Sequence, residues 1–302
     1  MHFDEAYRTF SPLWKTPLRF YHSEQQHLQP LLKKCKTLEL KYFALFHDIV
    51  YNPYSKTNEE DSAEFFQQNR HHFEDLKDPD LVLEMILATK SHKPSSHPKI
   101  QEAIDLDLGI LDADFSELLV YERNIFLEYQ KTEINEYLEK RVAFLSQFNK
   151  PNLKKLVEFI QTKTYTIGVY AGSFDPFHVG HLDILHKAEK LFDKVIVVRA
   201  VNPEKLNHTY SMPLSLPNQI LDHSGIITEV FKKDHTYTMV RGIRNEYDIA
   251  SEMNYMSWVH EVESSIAFVH IFCDPENIKV SSSALRSFTK IQGFNIERWL
   301  VK

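Results

Sequence analysis

The sequence predicts two domains, an all-helical N-terminal domain and an α/β C-terminal domain with a parallel sheet. The 302 residues exceed the length at which a single core usually stops growing. Glycine divides the chain unevenly, since residues 1–167 contain only Gly109 and residues 168–302 contain the other six. Few positions of the first part therefore need a positive φ, whereas the second part has the turns of an α/β domain. We place the boundary between residues 162 and 163.

The bulk composition limits the class of protein. The apolar fraction is 43%, the formal net charge is -7 and the isoelectric point is near 6.1. This acidic balance argues against nucleic-acid binding, which favours a basic surface. Cys35 and Cys273 form no CxxC motif, so we expect reduced thiols in a cytoplasmic protein. The N terminus does not resemble a signal peptide and the apolar runs are too short to span a bilayer, so no membrane association is expected.

Helical periodicity dominates the first domain. Apolar residues recur three or four positions apart, as they do along amphipathic helices. The segments that show this period are LQPLLKKC, ELKYFALFHDIVY, SAEFFQQNRHHFEDL, DLVLEMILATKSH and FSELLVYERNIFLEYQKTEINEYLEKRVAFLSQF. In addition, NEEDSAEFF has the early acidic residues of a helix start.

A histidine and an aspartate, His47 and Asp48, follow the apolar run YFALF. A carboxylate beside a buried run is costly unless something compensates its charge, and a metal ion would do so. His22 in RFYHSEQQH and Asp107 in AIDLDLGIL could complete such a site. Imidazole and carboxylate ligands suit a hard or borderline divalent ion, which would acidify a bound water and hold a phosphoryl oxygen. From the residues alone, a helix cap or a satisfied surface pair explains His47 and Asp48 equally well.

The order of these segments resembles the predicted metal-dependent phosphohydrolases of the HD superfamily, over about residues 1–150. The segments that carry the resemblance are RFYH, ALFHDIVYNPYSKTNEEDSAEFF, ILATKSH, DLDLGIL and YERNIFLEY. The resemblance implies a phosphohydrolase of unspecified substrate that holds Mn, Fe, Mg or a similar divalent ion. It implies four metal ligands, namely His22, His47, Asp48 and Asp107.

Several alternatives remain open in this domain. Asp105 competes with Asp107 for the ligand role, and the D-x-D-L match favours Asp107. His27 and His92 are weaker candidates that could contact a ligand residue or the substrate. The metal could also be purely structural, in which case the domain would be a scaffold.

The second domain opens with a pattern of strand, glycine loop, helix and strand, YTIGVYAGSFDPFHVGHLDILHKAEKLFDKVIVVRAVNP. In a right-handed βαβ unit, the first loop and the helix N terminus lie at the carboxyl edge of the sheet, where phosphates bind. His178 ends the loop and His181 lies in the first helical turn, so both can face one phosphate. Gly180 leaves room for a nucleotide. Two surface histidines would explain HxGH alone, but GSFDPF has the chemistry of a tight phosphate loop.

Three later segments, VNPEK, TMVRGIRNEYDIASEM and KVSSSALRSF, offer further phosphate-binding groups. The groups are a lysine, three arginines, an acid and three serines: Lys205, Arg241, Arg244, Arg286, Glu252, Ser281, Ser282 and Ser283. Arginines three residues apart can clamp phosphates, although solvated surface arginines have the same spacing. Hydroxyls at a helix start can bind phosphate or simply cap the helix.

AGSFDPFHVGHLDIL resembles the HxGH nucleotidyltransferases of the adenylyltransferase superfamily, which share a Rossmann-like fold. With LFDKVIV, AVNPEK, VRGIRNEYDIASEMNYM and VSSSALR in the same order, about residues 165–290 resemble the phosphopantetheine adenylyltransferases. The resemblance implies transfer of AMP from ATP, accompanied by Mg²⁺, to 4′-phosphopantetheine, which gives dephospho-coenzyme A and pyrophosphate. Positioning and electrostatics would carry this reaction without a covalent intermediate.

The resemblance also implies roles for single residues. The predicted catalytic residues are His178, His181, Lys205 and Arg244. The predicted ATP- and substrate-binding residues are Gly172, Ser173, Phe174, Gly180, Arg241, Glu252, Ser281, Ser282, Ser283 and Arg286. Within these sets, Lys205 and Arg241 would hold the phosphate of the acceptor, and Ser173 and His181 would contact both substrates.

This chain departs from the family in two places, both of which border the acceptor. Residues 206–240 are shorter than usual and lack an acidic FSLEERVELI-like segment, and Trp258 and Val259 stand where a Met-Asn pair is expected. An adenylyltransferase for nicotinamide mononucleotide or another phosphorylated acceptor is therefore the alternative, although RGIRNEYDIASEM favours phosphopantetheine. A module that senses a nucleotide or a coenzyme A metabolite and regulates the HD domain is a further alternative. A homo-oligomer is possible by analogy with the related enzymes.

Overall fold

The computed structural model describes residues 1–201, 210–291 and 293–301. The chain divides into two compact units. The N-terminal unit contains Met1–Tyr129 and Ile134–Thr162, and the C-terminal unit contains Gln130–Glu133 and Lys163–Lys302. Lys205, one of the predicted phosphate-binding residues, lies outside the described residues.

The N-terminal unit is helical, as the apolar periods predict. Its α-helices are α1 (Phe3–Phe10), α2 (Gln29–Lys34), α3 (Leu38–Phe46), α4 (Asn58–Asn69), α5 (Pro79–Ala88), α6 (Pro98–Asp107), α7 (Phe115–Glu128), α8 (Ile134–Leu145) and α9 (Pro151–Thr162). Side chains of Thr37, Asp78 and Asp114 accept backbone N–H groups at the starts of α3, α5 and α7, and these bonds satisfy donors that a helix start leaves free.

Helix α3 lies at the centre of this unit. Tyr42, Phe43 and Phe46 are fully buried along it, and Phe66 and Trp14 pack into the same core. A helix that is apolar on most sides must be surrounded by other elements. The C-terminal end of α3 therefore lies inside the core, and the residues that directly follow this helix start out buried.

The C-terminal unit is an α/β domain whose sheet is entirely parallel, as predicted. Its elements are β1 (Thr166–Gly172), α10 (Val179–Ala188), β2 (Lys194–Ala200), β3 (Gln219–His223), β4 (Thr236–Ile243), α11 (Glu246–Val262), β5 (Ala267–Phe272) and α12 (Ser282–Phe288). The strand order is β3-β2-β1-β4-β5. Strands β1 and β2 are buried over most of their length, which explains their continuous apolar runs.

The strand order creates a switch point beside β1. This strand pairs with β2 on one side and with β4 on the other, and both ladders are parallel. The chain therefore leaves β1 toward one edge of the sheet and later returns to extend the opposite edge. In open parallel sheets, ligands bind in the crevice outside the carboxyl ends of the strands at such a point.

The connections on the two sides of the switch point differ. On the side of β4 and β5, the 17-residue helix α11 joins the strands. On the side of β2 and β3, the described residues of the connections from β2 to β4 contain only a short 3₁₀ turn, Ile227–Val230. Over the described residues, these connections therefore add little helix to the domain.

A buried lysine ties the short segment Gln130–Glu133 to the C-terminal unit. Lys194 on β2 is only 2% exposed, and its Nζ donates to the carbonyl oxygens of Gln130 and, at 2.9 Å, Thr132. Burial lowers the pKa of Lys194 to about 7. Lys232 adds an ion pair to Glu133 at 2.9 Å. The segment is therefore held by hydrogen bonds from a buried lysine to its backbone and by an ion pair at the surface.

Across the described residues, no helix combines the length and the apolar character that a membrane span requires.

Candidate functional site

The loop between β1 and α10 forms the first wall of a cleft in the C-terminal unit. Phe174 adopts a φ of 48°, which turns the chain sharply after the strand. His178 is the N-cap residue of α10, and Gly180 lies directly beneath its ring. A Cβ atom on Gly180 would lie 3.1 Å from the His178 Cε1 atom, so any larger residue would crowd this ring.

The two histidines of the loop stack on each other. Their ring centroids are 3.6 Å apart and their planes are inclined by 20°. The backbone N–H of His178 donates to Nδ1 of His181 at 3.4 Å. Because Nδ1 of His181 accepts this bond, the proton of the neutral ring is on Nε2, which can donate to a ligand. Nδ1 of His178 is buried and has no hydrogen-bond partner among the described residues.

Both rings are neutral at physiological pH. Burial, with a smaller contribution from the positive charge of Arg244, lowers the pKa of His178 to about 4. Burial, with smaller contributions from His178 and Arg244, holds the pKa of His181 well below its usual value. The pair therefore offers directed hydrogen bonds rather than fixed positive charge.

Two arginines, Arg241 on β4 and Arg244 just after it, form the second wall, and each is oriented by an acid of α11. Arg241 makes two 2.6 Å bonds to the carboxylate of Glu252 and one of 2.7 Å to the carbonyl oxygen of Ala171. Arg244 binds the carboxylate of Asp248 through Nε and Nη2, at 2.9 and 2.8 Å. Asp248 and Glu252 are one helical turn apart, so a single face of α11 sets both guanidinium groups.

The serine run forms the third wall at the start of α12. Ser281 accepts the backbone N–H of Ala284 at 3.1 Å, so it caps the helix. The hydroxyl of Ser282 instead donates to the carbonyl oxygen of Pro176 at 3.0 Å. Arg286 donates to the carbonyl oxygen of Asp175. These bonds attach α12 to the GSFDPF loop.

These walls enclose one cleft of about 300 Å³ beside the switch point. Every predicted residue of this site except Lys205 lines it: Gly172, Ser173, Phe174, His178, Gly180, His181, Arg241, Arg244, Glu252, Ser281, Ser282, Ser283 and Arg286. The sequence interpretation missed Asp248 and Cys273, which also line the cleft. The four-residue spacing between Asp248 and Glu252 is the signal that would have indicated Asp248. The roles of these residues stay predictions.

A second cluster of polar side chains lies inside the N-terminal unit. One ligand atom from each of His27, His47 and Asp107 lies within 4.8 Å of the other two. The Nε2 atoms of the two histidines are 2.9 Å apart, and Oδ1 of Asp107 is 3.3 and 3.5 Å from them. Oδ2 of Asp48 is 3.3 Å from Nε2 of His47 and 3.8 Å from Nε2 of His27. Two imidazoles and two carboxylates therefore converge.

The surroundings orient these groups. His47 follows α3 into the core, and its Nδ1 donates to the carbonyl oxygen of Ala44 at 3.1 Å, so in the neutral ring the lone pair is on Nε2, the nitrogen of the cluster. Nδ1 of His27 bonds the Tyr21 hydroxyl at 3.0 Å. His92 holds the other oxygen of Asp107 at 2.8 Å. A set of two imidazole nitrogens and two carboxylate oxygens fits a hard or borderline divalent cation.

Without a bound ion, the histidines of the cluster supply the positive charge and the donors that its carboxylates need. Burial opposes charge on His47, but Asp48 and Asp107 outweigh it and raise its pKa to about 10. Burial likewise opposes charge on Asp107, whose pKa nevertheless lies well below its usual value because three histidines bond its carboxylate. The two buried carboxylates are thus stabilised by nearby positive charge or by donors.

The structure brings together three of the four predicted metal ligands and places the fourth, His22, beside them. His47, Asp48 and Asp107 come together, whereas His22 lies beside the group, with its Nδ1 atom 2.7 Å from Glu128. His27, a weaker candidate from sequence, supplies the first histidine of the group. The turn Glu24–Leu28 is π-helical, and the sequence gives no sign of this unusual turn. Asp105, the competitor of Asp107, is exposed and bonds Gln101 instead.

Comparisons with known proteins concern the C-terminal unit. Residues 169–288 match the family model described as cytidylyltransferase-like. The phosphopantetheine adenylyltransferases of Streptococcus pneumoniae strains JJA and ATCC BAA-255 / R6 are each 32% identical over 135 residues, which cover 41% of this chain and 83% of the relatives. A solved structure from Vibrio parahaemolyticus, provisionally assigned as a nicotinate-nucleotide adenylyltransferase, aligns with a TM-score of 0.31 and 13% identity over 46% of this chain and 88% of that one.

The C-terminal unit is therefore a nucleotidyltransferase domain with the cytidylyltransferase-like fold. The matched stretch, residues 169–288, contains the HxGH loop, Arg241 and Arg244, and the serine run, which lie around one cleft. Because the chain spans most of the length of relatives with which it shares 32% identity, it belongs, through its C-terminal unit, to the phosphopantetheine adenylyltransferase family.

Proposed function

We propose that the C-terminal unit transfers AMP from ATP to 4′-phosphopantetheine and releases pyrophosphate and dephospho-coenzyme A. The observation that carries this proposal is the cleft at the switch point, which gathers neutral histidines, arginines and serines from three separate segments. The relatives at 32% identity are phosphopantetheine adenylyltransferases, which supports the choice of acceptor. Mg²⁺ would accompany ATP, and the hydroxyls of Ser173 and Ser283 are available to its phosphates, whereas that of Ser282 donates to Pro176.

The two histidines act by hydrogen bonding. Nε2–H of His181 points away from the bond that fixes its Nδ1, so it can donate to an oxygen of the α-phosphate. Charge grows on that phosphate group as pyrophosphate leaves, and a fixed donor stabilises the growing charge more than the ground state. His178 stacks against His181 and holds its ring in place.

The arginines supply charge in a different way. Arg241 is closed by Glu252, Ala171 and the ring of Tyr255, whose centroid lies 4.6 Å from the guanidinium carbon. It therefore shapes the cleft between β1 and α11. Among the described residues, Arg244 pairs with one carboxylate, that of Asp248, and the Arg244 side chain is 37% exposed. Arg244 is the arginine that can share its donors with a phosphate.

The test supplies the full chain with ATP and each of two acceptors and follows pyrophosphate release. Activity with 4′-phosphopantetheine is expected. Activity with nicotinamide mononucleotide alone would change the assigned acceptor but leave adenylyl transfer as the reaction. Binding of ATP and acceptor without any pyrophosphate release would contradict adenylyl transfer and favour a sensing module. In that case, a change in hydrolysis by the N-terminal unit when these ligands are added would support regulation.

We further propose that the N-terminal unit is a metal-dependent phosphohydrolase. The specific observation is the convergence of two imidazoles and two carboxylates in a buried position. His27, His47, Asp48 and Asp107 would hold the ion. Such an ion, when bound, supplies an acidified water and an electrophilic contact to a phosphoryl oxygen. His92 would fix Asp107 through its 2.8 Å bond.

The test measures metal content and hydrolysis of phosphate esters by the full chain after incubation with Mn²⁺, Fe²⁺ or Mg²⁺. Stoichiometric metal that His47→Ala removes, together with metal-dependent phosphate release, is expected. Bound metal without hydrolysis of any nucleotide or phosphorylated pantetheine derivative would reduce the cluster to a structural site. The absence of bound metal would contradict the proposal outright.

A further inference from the structure

A buried carboxylate beside the cluster accepts an unusual number of hydrogen bonds. Glu128 is the last residue of α7, and its side chain is fully buried. Its Oε1 atom accepts three consecutive backbone N–H groups, those of Phe20, Tyr21 and His22, at 2.8, 2.7 and 2.8 Å. One carboxylate oxygen thus fixes the backbone of the segment that leads to the metal cluster.

The second oxygen of Glu128 contacts the ring of His22. Oε2 lies 2.7 Å from Nδ1 of His22 and 2.7 Å from the hydroxyl of Tyr51. An ionised carboxylate can only accept hydrogen bonds, so both neighbours must donate. Nδ1 of His22 therefore carries a proton, and in the neutral ring the free lone pair is on Nε2.

Other contacts fix the direction of this ring. The ring of Tyr51 stacks on it with centroids 4.3 Å apart, and the ring of His27 lies 5.7 Å away. Arg19 donates to the carbonyl oxygen of His22 at 3.1 Å and to that of Asp48 at 2.7 Å. The backbone of His22 is therefore bonded to the same arginine as the backbone of a cluster residue.

We propose that Glu128 is a positioning residue that keeps His22 protonated at Nδ1, so that Nε2 is free to bind the metal ion of the cluster. Histidine ligands are commonly held in this way by a carboxylate on the opposite ring nitrogen. The proposal rests on the metal site proposed above. It deepens that site, because it gives His22 a defined ligand atom although His22 lies beside the three groups that already converge.

The isosteric variant Glu128→Gln separates positioning from mere structural support. The three backbone N–H groups require an acceptor at the place of Oε1, so they hold the amide oxygen there. The amide NH₂ group then occupies the place of Oε2 and must donate to Nδ1 of His22. The variant keeps the backbone bonds but forces the proton of the neutral ring onto Nε2, which removes the lone pair from the metal side.

Two measurements on the full chain test the proposal. The first is the ¹⁵N spectrum of histidine-labelled protein without metal, in which the signals of His22 are identified from their absence in His22→Gln. We expect Nδ1 of His22 to carry a proton in the wild type and to lack one in Glu128→Gln. The second is Mn²⁺ binding by titration calorimetry, for which we expect affinity to fall about tenfold or more in Glu128→Gln.

Tyr51→Phe is the matched control. It removes the other bond to Oε2 but leaves the carboxylate, so we expect protonation at Nδ1 and Mn²⁺ affinity within about twofold of the wild type. An unprotonated Nδ1 in the wild type would overturn the proposal even if Glu128→Gln failed to fold. Wild-type Mn²⁺ affinity in a folded Glu128→Gln would also overturn it. If the wild type bound no Mn²⁺, the proposed metal site would fail, while the spectrum alone would still decide the protonation of His22.

Discussion

The cleft of the C-terminal unit and the cluster of the N-terminal unit are built in different ways. In the cleft, each wall follows a strand or begins a helix at one edge of a parallel sheet, so the topology brings distant segments together. In the cluster, side chains from the ends of helices and turns converge inside a core, and a backbone carbonyl, a tyrosine hydroxyl and a histidine orient them. Sheet topology decides which residues line the cleft, whereas local turns decide which residues join the cluster.

The largest effect is expected when the central hydrogen-bond donor of the cleft is removed. His181→Ala should lower the rate of adenylyl transfer about 10²- to 10³-fold, because a fixed donor to the reacting phosphate is lost. Pyrophosphate release with saturating ATP and 4′-phosphopantetheine measures this loss. His186→Ala, an exposed position on the same helix, should leave the rate unchanged. A small effect of His181→Ala would mean that the cleft binds nucleotide but does not transfer AMP.

The cluster is tested at its most connected carboxylate. Asp107→Asn should weaken Mn²⁺ binding about 100-fold, since one anionic ligand shared by three histidines is lost. Equilibrium dialysis with metal analysis gives the affinity. Asp105→Asn is the matched control two residues away, and it should bind metal as the wild type does because Asp105 is exposed and bonds Gln101. Equal affinities for the two variants would remove Asp107 from the ligand set.

The pairing of Arg241 distinguishes shaping of the cleft from substrate binding. Glu252→Ala leaves a mostly buried guanidinium without its carboxylate, and we expect the free energy of unfolding of the C-terminal unit to fall by about 2 kcal/mol. Urea denaturation gives the value. Glu261→Ala, an exposed acid further along α11, should change it by less than about 0.5 kcal/mol. An unchanged stability in Glu252→Ala would show that Arg241 is free to serve a ligand.

The smallest effect concerns the pH dependence of stability. The pKa of His178 is about 4 in the folded protein and near 6.5 when the chain is unfolded, so below pH 6.5 the unfolded state binds the proton more readily. The contribution of the neutral His178 ring to the free energy of unfolding is complete above pH 6.5. It is lost as the pH falls toward 4, at about 1.4 kcal/mol per pH unit within this window. Urea denaturation at pH 7.5 and 5.5 should show a smaller loss in His178→Asn than in the wild type. Identical losses would contradict the burial of this imidazole.

The sequence was informative where short segments carry both an element and its chemistry. TIGVYA followed by GSFDPFHVGH predicts β1, the loop and the start of α10, and the parallel sheet is confirmed. The spacing of Arg241 and Arg244 predicts two guanidinium groups near the cleft, but not that acids of α11 would hold both. Those bonds depend on how α11 packs against β4, which short-range periodicity does not specify.

In the N-terminal unit, the helices were easier to predict than the cluster. Apolar periodicity marks α3, and burial of that helix explains why His47 is inside. The choice between His22 and His27 depends on a π-helical turn, because one additional residue per turn changes which side chain faces inward. Glu128 was not singled out, since a glutamate at a helix end gives no sequence signal that it accepts five hydrogen bonds. The HD-type assignment and the ligand roles stay predictions.

The anchoring of Gln130–Glu133 by Lys194 has a practical consequence for dissecting this protein. The chain enters the C-terminal unit twice, once for these four residues and again at Lys163, so one cleavage point does not divide it into two complete pieces. A fragment that starts at Lys163 leaves the buried ammonium of Lys194 without both of its carbonyl acceptors. Loss of activity in such a fragment would therefore report a damaged domain rather than a partnership between activities, and point variants in the intact polypeptide are the sound way to assign each activity.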